Sequence, residues 1–122
     1  MAVLITYLFL TFSGGSPAFL DFISDRIDDV KAVVVNNEQQ KEAVSILELM
    51  GEHSKEHNKQ TNEINKKISK LIESRDAKLS EIIAIGDSNF ENIESYSNEM
   101  LELRFKLKEH VTREEWAQIF IE

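Results

Sequence analysis

The sequence predicts an all-α protein in which a long antiparallel helical hairpin carries a shorter helix at each end. Three observations support this fold class. The 122 residues include only 4 glycines and 1 proline, so residues that break helices are rare. After residue 17, apolar residues recur every three or four positions over most of the chain, which is typical of amphipathic helices. Helix-capping sequences separate these apolar runs and indicate where each helix begins.

Residues 1–16 form an apolar N-terminal segment, distinct from the predicted α-helical hairpin domain at 17–122. No charged side chain precedes Asp21. The apolar residues 1–12, followed by small residues, are similar to an export signal, although a basic start is missing. The stretch also approaches the length of a short membrane anchor, and its β-branched and aromatic residues would suit a buried strand of a soluble protein. We favour the export signal or anchor, which would bring the protein to the membrane.

The first helix is predicted to begin at Ser16 and Pro17. Serine can accept hydrogen bonds from the free amides of a helix start, and proline fits the first helical position. The helix is expected to end near residues 35–36. One apolar stripe runs along it, formed by Leu20, Ile23, Ile27, Val30 and Val34.

Asn37 is the expected cap of the second helix, with Gln40 at the reciprocal capping-box position. The three-four pattern then continues to residue 73 and predicts one long helix. The residues expected to face the other arm of the hairpin are Leu47, Met50, Ser54, His57, Thr61, Ile64, Ile68 and Leu71.

The hairpin is predicted to turn at Asp76, which would cap a third helix over 77–110. This choice gives two arms of similar length. Gly86 offers a rival turn with better turn chemistry, but it would leave very unequal arms. Under the preferred choice Gly86 is a weak spot or kink inside the third helix. The expected inner face of this helix consists of Leu79, Ile82, Gly86, Phe90, Ile93, Ser97, Met100 and Leu107.

The last helix has the clearest start in the sequence. Thr112 and Glu115 form a capping box, and Val111 and Trp116 stand at the positions of a hydrophobic staple. A short helix over 113–121 is therefore predicted.

The third helix carries more apolar surface than one inner face requires. Leu101 and Phe105 point roughly 100–140° away from Met100, at 100° per residue. The first helix, the last helix or a second copy of the protein must cover them, and we favour a homodimer. Leu101, Phe105 and Trp116 are the candidate partner-binding residues.

Composition argues against several classes of function. The net charge is −8, with 22 acidic and 14 basic residues, whereas a nucleic-acid-binding protein needs a basic face. Cysteine is absent, which removes disulfides, thiolate catalysis and cysteine zinc sites. The sequence contains neither a glycine-rich phosphate loop nor a Ser/His/Asp arrangement. We therefore expect a protein that binds and does not catalyse a reaction.

The stretch EHSKEH at 52–57 is the one candidate for metal chemistry. His53 and His57 are four positions apart and share a helical face, so with Glu56 they could hold a divalent transition metal. The pattern H-x-x-E-H also occurs in inverted zinc proteases, but those enzymes need a third ligand and a substrate cleft that a helical hairpin does not offer. We favour a structural role and no cofactor, with His53 exposed and His57 a polar residue of the seam. His110, before the last helix, is expected to interact with the C-terminal carbonyls of the third helix.

Two helix starts are similar to each other, VNNEQQ at 35–40 and VTREEW at 111–116. Both resemble degenerate copies of the L-T-x-x-Q motif of Spy-like and CpxP-like periplasmic proteins, and the layout of those proteins matches about 20–121 of this chain. The chain departs from the motif where Asn36 replaces threonine and Glu115 replaces glutamine. The matching positions are Val35, Asn36 and Gln39 in the first copy and Val111, Thr112 and Glu115 in the second.

The resemblance implies a non-enzymatic protein of the cell envelope, exported to the periplasm or anchored in the membrane. Members of that group act as chaperones for unfolded clients, as modulators of envelope stress through protein binding, or as metal sensors with paired histidines. The first alternative function is therefore periplasmic metal sensing through His53 and His57. The second alternative is a structural or oligomerisation module, which could be cytosolic.

Overall fold

The computed structural model describes residues 17–120, which form four α-helices without a β-strand. These are α1 (Pro17–Val33), α2 (Asn37–Glu73), α3 (Leu79–His110) and α4 (Arg113–Ile119). The all-α prediction is confirmed. None of these four helices is both long and apolar enough to span a membrane. The predicted export signal or anchor at 1–16 lies outside the described residues.

α2 and α3 pack against each other, and α1 packs on α2 and on α4. The order of contacts shows that α2 and α3 are antiparallel. Gln39 at the start of α2 contacts His110 at the end of α3, and His57 stacks on Tyr96 further along both helices.

The hairpin turns at residues 74–78, as the preferred prediction states, and Gly86 lies within α3. The Ser74 amide ends α2 by donating to the carbonyls of Lys70 and Leu71 at 3.1 and 3.2 Å. The prediction that Asp76 caps α3 was wrong. The helix begins two residues later, at Leu79, and Glu81 accepts a hydrogen bond from the Lys78 amide at 3.3 Å.

The cap of α2 lies one residue earlier than predicted. Asn36, not Asn37, is the N-cap, and its Oδ1 accepts a hydrogen bond from the Gln39 amide at 3.1 Å. Gln40 has another role, because its Nε2 donates to the carbonyl of Val34 at 3.0 Å and to that of Lys31 at 3.1 Å. It therefore satisfies carbonyls at the end of α1, which ends at Val33.

The capping box of α4 is confirmed. Thr112 Oγ1 accepts from the Glu115 amide at 3.2 Å, and Glu115 Oε1 accepts from the Thr112 amide at 3.0 Å. Both predicted staple residues, Val111 and Trp116, are buried. The helix ends at Ile119, two residues before the predicted end, and Phe120 is its C-cap.

The core lies at the end of the hairpin opposite the turn, where α1 and α4 pack on α2 and α3. Of the predicted α1 stripe, three residues are buried and Leu20 and Ile27 are half-buried. Phe19, which was not predicted to belong to it, is fully buried. The largest fully buried side chains are Phe19, Leu47, Met100, Leu107 and Ile119.

The prediction of which α3 residues face α2 was wrong in the half of the helix near the turn. Leu79 and Phe90 are 72% and 67% exposed. The side chains that approach α2 are instead Asn89 and Asn92, which are half-buried, and Tyr96, which is buried. These positions lie one residue before the predicted ones, so the more apolar side of α3 remains in contact with solvent.

Candidate functional site

The middle of the hairpin contains a polar cluster formed by Ser54, His57 and Tyr96. The His57 and Tyr96 rings stack with centroids 4.1 Å apart and planes inclined by 10°. All three side chains are buried, and Ser54 Oγ, His57 Nδ1 and the Tyr96 hydroxyl have no hydrogen-bond partner among the described residues. Since buried polar groups usually have such partners, this cluster is a local weakness of the hairpin or a site for a ligand.

Burial changes the pKa of both rings so that each stays uncharged over a wider range of pH. Desolvation lowers the pKa of His57 below its ordinary value of 6.5, so the imidazole is neutral at neutral pH. Desolvation also raises the pKa of Tyr96 above 10.0, and the nearby Ser54 hydroxyl opposes this effect in part, although the two oxygens do not form a regular hydrogen bond. A neutral imidazole is able to bind a metal, but it needs further ligands.

The predicted metal ligands His53, Glu56 and His57 line one cleft between α2 and α3. His53 Nδ1 pairs with Glu99 Oε2 on α3 at 3.1 Å, while His57 turns toward Tyr96. The cleft has a volume of about 140 Å³, and Glu56 is exposed where it lines it. Within residues 17–120, no group of three histidine, cysteine, aspartate or glutamate side chains is placed to hold a metal ion.

The two L-T-x-x-Q-like segments meet at the open end of the hairpin, and we call this region the capping junction. Glu115 Oε2 accepts a hydrogen bond from the Val35 amide at 3.4 Å. His110 Nδ1 donates to Gln39 Oε1 at 2.6 Å, so His110 bonds across to α2 and not, as predicted, to the end of its own helix. The pKa of the Glu115 carboxyl is lowered mainly by the hydrogen bond that it accepts from the Thr112 amide. The junction thus joins both helix starts by side-chain contacts.

One side of α3 carries most of the large apolar side chains that are exposed among the described residues. We call it the apolar stripe. Of the predicted partner-binding residues, Leu101 and Phe105 belong to it and are 36% and 57% exposed. The sequence left open that the first or the last helix covers these two side chains, but both remain exposed among the described helices. The other exposed apolar residues of the stripe are Leu79, Ile82, Ile83, Phe90 and Ile93.

Trp116 differs from the other two predicted partner-binding residues because it is only 8% exposed. Its ring packs against Phe120, with centroids 4.5 Å apart, and forms part of the wall of a cleft between α3 and α4. Trp116 therefore contributes to the core and offers little surface to a partner.

Two residues of these regions were missed from sequence. Tyr96 was not assigned to the inner face, although a tyrosine one position from the expected Ser97 is a signal for a shifted register. Arg104 is buried at the α3–α4 cleft, and no sequence pattern distinguishes it from an exposed arginine.

Comparisons with protein-family models, with curated proteins and with solved structures find no significant match to this chain.

Proposed function

We propose that this chain is a non-enzymatic protein of the cell envelope that binds unfolded protein clients through the apolar stripe of α3. The observation that carries the proposal is the exposure of that stripe. It extends from Leu79 to Phe105, about 40 Å along the helix, and a row of exposed large apolar side chains on one side of a helix favours a binding role.

The form of the stripe favours an unfolded client over a rigid partner. Its apolar side chains are widely spaced, and a glycine and Ser97 interrupt them. Such a surface offers many small contacts to segments of different sequence, whereas a specific interface has a closely packed apolar centre. Exposed acids such as Glu91 and Glu94 lie beside the stripe and would attract basic unfolded segments.

Two further features are consistent with an envelope protein of the Spy-like and CpxP-like type. Both segments that resemble the L-T-x-x-Q motif are helix starts, and they contact each other at the capping junction. The apolar segment at 1–16 supplies the proposed export signal or anchor.

Light scattering of an aggregating client tests the proposal. The client is chemically reduced lysozyme, a basic protein, mixed with the full chain. We expect the wild type to suppress aggregation and the double variant Phe90→Ser/Ile93→Ser to suppress it much less. Leu49→Ser is the matched control, since Leu49 is 41% exposed on α2, outside the stripe, and this variant should act as the wild type does.

Two results would refute the proposal. One is a wild-type chain that leaves aggregation unchanged. The other is a dimer, detected by sedimentation, that the double variant dissociates while client protection persists, because the stripe would then be an interface between two copies. Circular dichroism of each variant confirms that the helices are intact.

The envelope location has its own test. The protein isolated from its native cell is fractionated, and its mass and N-terminal sequence are determined. Recovery in the envelope fraction supports the proposal, whether residues 1–16 are cleaved or retained as an anchor. A full-length chain confined to the cytosol would favour the structural-module alternative.

A further inference from the structure

Arg104 is a buried cation that has no anionic partner among the described residues. Its side chain is on α3 and the residue is 9% exposed. The ion pairs of the described residues join Arg26 to Asp29 and His53 to Glu99, and neither includes Arg104. Its Nε is enclosed and has no hydrogen-bond acceptor among residues 17–120, so the Nη groups are the donors that a ligand can reach. Because an unpaired cation in a largely desolvated position is unfavourable, an anion that reaches this guanidinium would be stabilising.

Two aromatic rings hold the guanidinium in place. Arg104 Cζ lies 5.4 Å from the centre of the Phe105 ring and 5.4 Å from that of Trp116. Aromatic faces attract a cation but do not accept its hydrogen bonds in the plane of the group. The guanidinium is thus positioned while its N–H donors remain available to a planar acceptor.

The group opens on a cleft that we call the Arg104 cleft, with a volume of about 740 Å³. Its charged lining consists of three cations, although the whole chain carries a net charge of −8. The remaining lining is apolar. The charged residues are Arg104, Lys108 and Arg113, and the uncharged ones are Val111, Trp116, Ala117 and Phe120.

We propose that the Arg104 cleft binds an acidic residue that stands next to a large apolar residue in a protein partner. The guanidinium matches a carboxylate in a two-point hydrogen bond, and the apolar wall receives the neighbouring side chain. The inference rests on the proposed function, since it names the chemistry of one segment that the protein binds. Phe105 of the apolar stripe stacks on Arg104, which lines the cleft, so one extended client can reach both.

The lone tryptophan of the chain is a reporter at this site. The probe is a terminally blocked peptide with the central sequence Leu-Phe-Glu, titrated while the fluorescence of Trp116 is recorded. The matched peptide has glutamine in place of the glutamate. We expect saturable binding of the glutamate peptide and at least roughly tenfold weaker binding of the glutamine peptide, as for the loss of a charge-assisted hydrogen bond.

Three variants assign the binding to Arg104. Arg104→Met should weaken glutamate-peptide binding about tenfold or more, and Arg104→Lys should restore part of it. Arg75→Met, at the exposed hairpin turn, makes the same charge change and should leave binding unaltered. Arg104→Met should also keep or raise the unfolding midpoint, because it removes a buried unpaired charge and retains an apolar chain. A merely structural arginine would instead lower that midpoint on replacement.

Four results would overturn the inference. They are equal affinity for both peptides, undiminished binding by Arg104→Met, and Trp116 fluorescence that responds to phosphatidylglycerol vesicles but not to peptide. The fourth is fluorescence that changes with protein concentration alone, which would place a second copy in the cleft. If any of these results occurs while the wild type still suppresses aggregation of reduced lysozyme, only the proposed binding in the Arg104 cleft is refuted. If the wild type does not suppress aggregation but binds the glutamate peptide as expected, only the proposed function is refuted.

Discussion

Replacing Ser54 by alanine should stabilise the protein. Ser54 is fully buried in α2, and its hydroxyl has no hydrogen-bond partner among the described residues. The Tyr96 hydroxyl is near, but the two oxygens do not form a regular hydrogen bond. Alanine keeps the Cβ in place and removes only the oxygen, so the helix and its packing should not change.

The size of the effect follows from two contributions. An unsatisfied buried hydroxyl destabilises a protein by about 1–3 kcal/mol, and alanine is favoured over serine within a helix by roughly 0.5 kcal/mol. Lost contacts of the oxygen with its neighbours oppose these terms in part. We expect the free energy of unfolding to rise by about 1 kcal/mol, which corresponds to roughly 4 °C in Tm for a chain of this length.

Thermal and urea unfolding followed by far-UV circular dichroism measures the change. The urea midpoint should rise without a change in the dependence on denaturant, since the same surface is exposed. Ala43→Ser is the matched control, because Ala43 is also fully buried in α2 and the substitution adds the hydroxyl that Ser54→Ala removes. If Ser54→Ala lowers stability while Ala43→Ser does so too, the Ser54 hydroxyl is held by a real hydrogen bond and the reasoning is wrong.

Two further predictions concern the polar cluster and the capping junction. Burial lowers the pKa of His57 below 6.5, so as pH falls this imidazole is protonated in the unfolded chain before it is protonated in the folded chain. Protonation therefore favours the unfolded state, and the folded protein loses stability as pH falls below 6.5. Urea unfolding from pH 8 to pH 5 measures the free energy of unfolding of the wild type and of His57→Leu. The difference between the two should be constant above pH 7, and below pH 7 the wild type should lose stability relative to the variant. A constant difference over the whole range would contradict the pKa shift. Thr112→Ala should lower the free energy of unfolding by about 0.5–2 kcal/mol, since it removes the N-cap of α4, while Thr112→Ser should be close to neutral. An unchanged urea midpoint for Thr112→Ala would show that α4 is held by packing alone.

Local signals in the sequence located most helix boundaries. Thr112 and Glu115 lie within four residues of each other, so their capping box depends on nothing distant. The position of the hairpin turn followed from equal arm lengths. The error at Asn37 is a choice between two adjacent asparagines, which have the same capping chemistry and differ only in what Gln40 contacts.

The contacts between helices were predicted less well, because they depend on the partner helix. α3 has apolar residues on two sides, and hydrophobic periodicity selects the more apolar one. The structure buries the side with Tyr96, which stacks on His57 of α2, and leaves Phe90 in solvent. Arg104 is a similar case, since its burial depends on Trp116 from a helix that follows a change in chain direction.

The placement of the core far from the hairpin turn has a consequence for folding kinetics. Contacts beside the turn join residues that are close in sequence, but the exposed Leu79 shows how little they bury. The capping junction joins Val35 to Glu115 across 80 positions and Gln39 to His110 across 71. Loop-closure entropy must therefore be overcome before most apolar surface is buried, and we expect slower folding than in helical bundles with local contacts. The half of α3 beside the turn can also open while the core stays folded, so its amide hydrogens should exchange sooner than those around Met100.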